Sequence, residues 1–166
     1  MDDDLRRLVD EQAIYRRLVD YCRGVDRGDA ALVASVYHPD GTDDHGSFQG
    51  LGVDFADYVT RRLGRYEATM HTIANPVITF TGPDAALVEC HVCARQRRAD
   101  GGGMVLETFG GRYVDRFERR DGEWKIAHRT CIHEWDKLER PELAFRPGRF
   151  TEGVRGPTDL SYPAPG

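Results

Sequence analysis

The second half of the chain decides the fold, and its residues 85–135 are AALVECHVCARQRRADGGGMVLETFGGRYVDRFERRDGEWKIAHRTCIHEW. Three segments long enough to be β-strands alternate here with Gly-rich or Asp-Gly sequences that are typical of hairpin turns. The predicted strands are Ala85–Arg98, Met104–Arg119 and Glu123–Trp135. Long consecutive strands joined by short turns predict an antiparallel meander.

A further strand is predicted just before this region, at Thr72–Thr81, and Gly82-Pro83-Asp84 joins it to the meander. Gly110-Gly111 lies inside a predicted strand. Paired glycines in a strand favour a β-bulge, which bends the strand and increases its twist. We therefore expect a strongly curved, mostly antiparallel sheet.

Three helices are predicted in the first half of the chain. Asp4–Arg27 carries apolar residues at the i, i+3, i+4 spacing of an amphipathic helix, and Asp29 is a plausible N-cap for Ala30–Tyr37. The third helix is predicted at Val53–Arg65, after a short polar segment (residues 42–50) that suits a hairpin or a strand and loop. The whole pattern predicts an α+β fold, with three N-terminal helices packed in the curved sheet.

Composition describes one ordinary soluble domain. The chain has 166 residues, 31% of them charged, with a net charge of −5 and no dominant block of Lys and Arg, so nucleic acid is not the expected partner. No apolar run approaches the length that spans a membrane, and the acidic N-terminus lacks a targeting sequence. We expect a cytoplasmic protein with no membrane partner, and its four cysteines as reduced thiols.

The domain is predicted to cover residues 1–137, and residues 138–166 form an extended Pro/Gly-rich C-terminal arm. The arm has too few apolar residues to form a domain of its own. Those it has are expected to pack over a pocket mouth or a neighbouring subunit: Leu143, Phe145, Phe150 and Tyr162.

Tyr21 and Asp26 flank the apolar stripe of the first helix and could both face a cavity. His71 lies where a strand enters the sheet. If the fold brings Asp26 to His71, the carboxylate can orient the imidazole for proton abstraction while the Tyr21 phenol hydrogen-bonds the substrate. Each of the three also has an ordinary structural interpretation, as a packing or hydrogen-bonded residue.

The last predicted strand supplies further candidates, because Arg129, His133 and Trp135 share one face of a regular strand. That face is either a ligand-binding wall or a hydrated outer surface. His45 could reach the pocket from its rim. The polar cluster around it is interpreted as a turn, since its His spacing matches no zinc pattern, and no metal site is predicted.

Several motifs together resemble the SnoaL-like branch of the NTF2-like superfamily, over about residues 4–137. They are Tyr21-Cys22-Arg23-Gly24-Val25-Asp26-Arg27-Gly28-Asp29, Tyr37-His38-Pro39-Asp40, Asp44-His45-Gly46, Met70-His71 and Asp121-Gly122-Glu123-Trp124-Lys125-Ile126. The functional relatives that this resemblance suggests are of the scytalone dehydratase, hexachlorocyclohexane dehydrochlorinase and bile-acid 7α-dehydratase type.

The resemblance implies a cone-shaped fold with an Asp–His dyad deep in the cone, at positions that match Asp26 and His71, and with Tyr21 beside it. A pocket Arg of the bile-acid enzyme falls on His133 here, which is a departure. The implied function is a cofactor-independent dehydratase or double-bond isomerase acting on a hydrophobic cyclic substrate, in a homodimer or homotrimer. The alternatives are a polyketide-type cyclase and a non-catalytic ligand-binding or structural subunit.

Overall fold

The computed structural model describes residues 3–142, 145 and 148–163 and contains three helices and six strands in these residues. They follow the order α1 Asp3–Arg27, α2 Ala30–Ser35, β1 Tyr37–Asp44, β2 Gln49–Leu51, α3 Gly52–Leu63, β3 Ala68–Gly82, β4 Ala85–Asp100, β5 Gly103–Arg120 and β6 Glu123–Glu139. The predicted α+β class, with three N-terminal helices and a mostly antiparallel sheet, is confirmed.

The six strands form one sheet in the order β2-β1-β6-β5-β4-β3. Strands β3 to β6 are the predicted meander, and the single parallel pair joins β1 to β6. Asp121 and Gly122, which connect β5 to β6, both have positive φ angles, of 53° and 83°. This is the backbone that a tight two-residue hairpin requires, and it explains the Asp-Gly sequence.

A β-bulge interrupts the pairing of β5 with β6 at the predicted glycines. Gly111 pairs with His133 and Gly110 with Trp135, so Glu134 is the extra residue. A Cβ atom added to Gly111 would lie 2.1 Å from the Ile132 carbonyl oxygen. The bulge therefore depends on the absence of a side chain at this position.

The helices pack on the concave face of the sheet. Ile14, Leu18 and Val25 of α1 are fully or almost fully buried, as are Phe117 of β5 and Ile126 of β6 on the facing sheet. Burial of these side chains is the main source of stability, at about 25 cal/mol for each Å² of apolar surface. The same packing fixes the end of α1 against the beginning of β3.

Several predicted boundaries differ from the structure, and two of the differences have a clear cause. The second helix ends at Ser35 rather than Tyr37, because Tyr37 is the first residue of β1 and pairs with Ile126. Strand β3 begins at Ala68, so His71 lies inside the strand rather than at its entrance. In both places a pairing partner far along the chain extends the strand beyond its local pattern.

The C-terminal arm follows β6, which continues to Glu139. Its aromatic residues Phe145 and Phe150 are exposed and line a cavity that Asp26 and Arg27 also line, and they contact each other with ring centroids 5.3 Å apart. Leu143 lies outside the described residues. In the described part of the chain, no helix is both long enough and apolar enough to cross a bilayer.

Candidate active site

The structure brings Asp26 and His71 into direct contact. Asp26 is the penultimate residue of α1, and His71 lies on the inward face of β3. The Asp26 carboxylate accepts two hydrogen bonds from His71, one from the ring Nδ1 at 2.7 Å and one from the backbone N–H at 2.8 Å. The two contacts fix both the position and the rotation of the imidazole relative to the helix end.

The charge of Asp26 determines the His71 tautomer. Burial alone would raise the pKa of Asp26, but the hydrogen bonds and charge of His71, with a further hydrogen bond from Thr69, hold this pKa below its ordinary value. An ionised carboxylate can only accept hydrogen bonds, so Nδ1 of His71 carries the proton. The neutral ring is then left with a free lone pair on Nε2, which is the arrangement of a general base.

A second imidazole–carboxylate pair lies in the same region. His45 contacts Asp43 through Nδ1, and the buried Tyr37 hydroxyl donates to the other Asp43 oxygen at 2.5 Å. On its far side, Nε2 of His45 lies 3.3 Å from the Tyr21 hydroxyl. Tyr21 is therefore part of a hydrogen-bonded chain that ends at a buried carboxylate.

The surroundings of Tyr21 keep its phenol protonated. Burial raises its pKa well above the ordinary value, in spite of the opposing charge of Arg129. The Arg129 guanidinium lies over two aromatic rings that contact each other edge to face, 4.2 Å from the Tyr21 centroid and 4.1 Å from that of Tyr113. Tyr21 can thus donate a hydrogen bond, and the nearby cation favours negative charge that develops on a bound oxygen.

Tyr21, His45 and His71 all line one cavity of about 390 Å³. This volume is within the range of sites for small organic molecules. The remaining lining is rich in rings, which suits an apolar or cyclic ligand: Phe55, Tyr58, Tyr66, Phe109 and Tyr113. Cys131 also lines the cavity, but burial raises its pKa to about 12, so the thiol is neutral and is not a nucleophile.

Three residues predicted from the last strand lie outside this cavity. Arg129 is fully buried, and its guanidinium forms two hydrogen bonds to Asp115, at 2.8 and 2.6 Å, so it does not reach a ligand. The imidazole of His133 is 56% exposed beside Asp136. Trp135 lies against Gly110 and lines a separate groove on the outer face of the sheet.

The position of Trp135 has a physical cause in the bulge. The prediction assumed an unbroken alternation of side chains along β6, but the extra residue Glu134 interrupts it. The assumption holds for Arg129 and Cys131, before the bulge, and fails for Trp135, after it. Arg129 does point inward, where Asp115 accepts from its Nε and Nη2, while its buried Nη1 has no hydrogen-bond partner among the described residues.

Sequence reasoning missed the Asp43 partner of His45. The signal was present in the spacing, because residues two apart on a strand face the same side and an Asp-x-His sequence can form such a pair. The polar cluster containing both residues was interpreted as a turn. Among the described residues, no three His, Cys, Asp or Glu side chains are grouped so as to hold a metal ion.

Comparison with known proteins agrees with this architecture. The model of the SnoaL-like domain family matches residues 6–130. A search of curated proteins found no match.

Three solved structures show the same fold. A candidate scytalone dehydratase from Novosphingobium aromaticivorans is 24% identical, with a TM-score of 0.70, and the match covers 87% of this chain and 97% of that one. The dehydrochlorinase LinA-type3 from Novosphingobium barchaimii is 23% identical, with a TM-score of 0.75 and coverage of 87% and 99%.

A protein of unknown function from Mycobacterium tuberculosis is the third, at 19% identity, with a TM-score of 0.69 and coverage of 81% and 77%. Identities this low show a shared fold and leave the reaction open. The family match covers most of the chain and includes Asp26, His71 and strands β1 to β5. The chain therefore belongs to the SnoaL-like domain family.

Proposed function

We propose that this protein is an acid/base lyase, a dehydratase that removes water from a hydrophobic cyclic substrate carrying a carbonyl group. The observation that carries the proposal is the Asp26–His71 contact, in which a charged carboxylate holds the imidazole with its basic Nε2 free, beside a ring-lined cavity. The SnoaL-like family and its dehydratase- and dehydrochlorinase-named neighbours are consistent with this chemistry.

In the proposed reaction His71 Nε2 takes a proton from the carbon next to the carbonyl, and the C–H electron pair moves into an enolate. Tyr21 donates a hydrogen bond to the enolate oxygen, where the charge develops. Asp26 stabilises the imidazolium that forms on His71. The bond to the leaving hydroxyl then breaks, which restores the carbonyl and forms a carbon–carbon double bond.

The second pair favours elimination over simple isomerisation. A departing hydroxide needs a proton, and a second imidazole backed by a carboxylate, His45 with Asp43, lies in the same cavity. In the proposed step, a proton passes from His45 Nε2 to the departing hydroxide, directly or through Tyr21, and water is released. An isomerase would return the His71 proton to another carbon and would not use this second donor.

The test is turnover of cyclic β-hydroxy ketones, selected first by thermal shift, with the product followed by its conjugated-enone absorbance. We expect His71→Ala and Asp26→Asn to lower kcat by about 10²–10⁴-fold. His45→Gln should lower kcat for substrates with a hydroxide leaving group more than for those with a leaving group that needs no proton. Normal turnover by both His71→Ala and Asp26→Asn would refute the mechanism.

A further inference from the structure

The C-terminal arm is attached to the end of α1 that carries Asp26. The Gly156 N–H donates to the Arg27 carbonyl at 2.8 Å, and Arg23 Nη2 donates to the Ser161 carbonyl at 2.7 Å. The Tyr162 hydroxyl donates to the Asp29 carboxylate at 3.1 Å. These contacts hold the described part of the arm, 148–163, against its own domain.

A local turn in the arm gives Arg155 a defined position. The Asp159 carboxylate accepts hydrogen bonds from the Val154 N–H at 3.2 Å, the Ser161 N–H at 3.0 Å and the Ser161 hydroxyl at 2.6 Å. These hydrogen bonds join residues on both sides of Asp159 and form a turn. Arg155 therefore lies in an ordered loop. Its neighbour Gly156 is the residue that bonds to the end of α1.

Arg155 reaches Asp26 through one intermediate. Its Nη2 donates to the Thr69 hydroxyl oxygen at 3.2 Å, and the Thr69 side chain is one of the groups that hold the pKa of Asp26 below its ordinary value. Thr69 and His71 are two residues apart on the inward side of β3. A series of polar groups therefore leads from Arg155 through Thr69 and Asp26 to the His71 imidazole.

The Arg155 side chain is half-buried rather than exposed. Its Nε and Nη1 atoms are buried and have no hydrogen-bond partner among the described residues. Burial lowers its pKa, and the attraction of Asp26 opposes this. Together with Gly153 and Val154, it lines a cavity of about 1130 Å³ that contains Asp26, whereas His71 faces the smaller cavity. The arm thus covers the side of Asp26 that faces away from the proposed substrate.

We propose that Arg155 is a positioning residue for the Asp26–His71 pair, acting through Thr69 from the C-terminal arm. The inference rests on the proposed function. It adds that the arm, which lies beyond the residues matched by the family model, completes the site. By ordering Thr69 and restricting water behind Asp26, Arg155 makes the carboxylate–imidazole hydrogen bond stronger and more uniform in geometry.

The test compares the full-length wild type with Arg155→Met, Arg155→Lys and the control Arg149→Met. Arg149 is a second arginine of the arm, and its guanidinium lies over the exposed rings of Phe145 and Phe150. The first readout is the NMR signal of the His71 Nδ1 proton, which reports on the hydrogen bond to Asp26 without a substrate. The second is the kcat and KM of turnover.

We expect Arg155→Met to shift or broaden the Nδ1 proton signal and to lower kcat about 10-fold with little change in KM, as for the loss of one hydrogen bond involving a charged group. Arg155→Lys should recover part of both effects, and Arg149→Met should resemble the wild type. Thr69→Val should give the same signature and should not add to Arg155→Met, because both break one chain.

An unchanged proton signal and kcat in Arg155→Met would overturn the inference, and so would an effect on KM alone, which would make the arm a lid. The NMR result also separates this inference from the proposed function. A changed His71 signal in Arg155→Met supports the positioning chain even when the wild type turns over no substrate, in which case only the proposed function fails.

Discussion

The Asp26 carboxylate links stability and chemistry at the scale of single residues. Its pKa is lower in the folded protein than its ordinary value of 3.8, so ionisation of Asp26 favours the folded state. This contribution is fully present above the unfolded-state pKa, about 4, and is lost as the pH falls through the lower folded-state pKa.

We therefore predict a pH-dependent difference between the wild type and Asp26→Asn in the free energy of unfolding, measured with urea. The wild type should be the more stable by a constant amount above about pH 5, and the difference should shrink below about pH 4. A difference that stays constant down to pH 2 would show that Asp26 is not held as a stabilised carboxylate.

The buried ion pair of Arg129 and Asp115 yields a second residue-scale prediction. Burial alone would lower the pKa of Arg129, but Asp115 raises it, so the guanidinium stays charged with both side chains at zero exposure. Arg129→Met leaves Asp115 without its partner and should cost about 3–5 kcal/mol of unfolding free energy.

The double variant Arg129→Met/Asp115→Val removes both charges and should lose less than Arg129→Met alone, by urea unfolding at pH 7. Equal losses would mean that packing, rather than the unpaired charge, determines the cost. The Arg129 guanidinium also lies over the rings of Tyr21 and Tyr113, so the NMR signals of those two rings provide a check on local repacking.

Individual residues show how far the sequence could predict the site. Helix periodicity indicated that Tyr21 and Asp26 flank the packed face, but only the family resemblance connected them to His71, because no local pattern encodes a contact between residues 45 positions apart. Asp43 had a recognisable spacing from His45. Thr69 and Arg155 had no such signal, since their roles depend on where the arm packs.

At the scale of secondary-structure elements, the bulge between β5 and β6 decides which side chains enter the cavity. We predict that Gly111→Ala destabilises the protein by about 1–3 kcal/mol, because the new Cβ would meet the Ile132 carbonyl, which is backbone and cannot rotate away. Gly110→Ala should cost less, since the obstacle there is the half-exposed Trp135 ring.

Thermal unfolding of both variants tests this order, and Gly153→Ala is the control because a Cβ there meets nothing within 4 Å. If Gly110→Ala were the more damaging of the two, the bulge would not be organised as described. The glycine pair predicts the bulge from the sequence. A regular alternation of side chains along β6 does not allow for the extra residue, and it therefore places Trp135 on the wrong face of the sheet.

At the scale of the whole molecule, the strand lengths and turn sequences were sufficient to predict the α+β class and the antiparallel meander. The parallel pairing of β1 with β6 was not predictable, because it joins segments far apart in the chain. A homodimer or homotrimer stays a prediction. We predict its interface on the outer sheet face, where Val77, Leu87 and Trp135 are at least half exposed.

The shape of the cavity leads to a whole-molecule prediction about ligand binding. A cyclic hydroxy ketone that fills about 390 Å³ should raise the melting temperature of the wild type, in proportion to the logarithm of its concentration above Kd. Thr108→Trp places a large ring in the cavity and should abolish the shift. Thr79→Trp, on an exposed part of β3, is the matched control and should retain it.

A ligand that stabilises Thr108→Trp as much as the wild type would have to bind elsewhere, for example in the cavity beneath the arm. In that case the ring-lined cavity would not be the substrate site. Comparison of the two tryptophan variants without ligand corrects for any change that the substitutions make to stability itself.

The central claim is that His71, held by Asp26, removes a proton from carbon. The most direct measurement is exchange of the α-C–H of a bound cyclic ketone with D₂O, followed by ¹H NMR, because it reports proton removal even when no leaving group is present. The account predicts exchange by the wild type and a fall of about 10²–10⁴-fold in both His71→Gln and Asp26→Asn. Undiminished exchange in His71→Gln would contradict it.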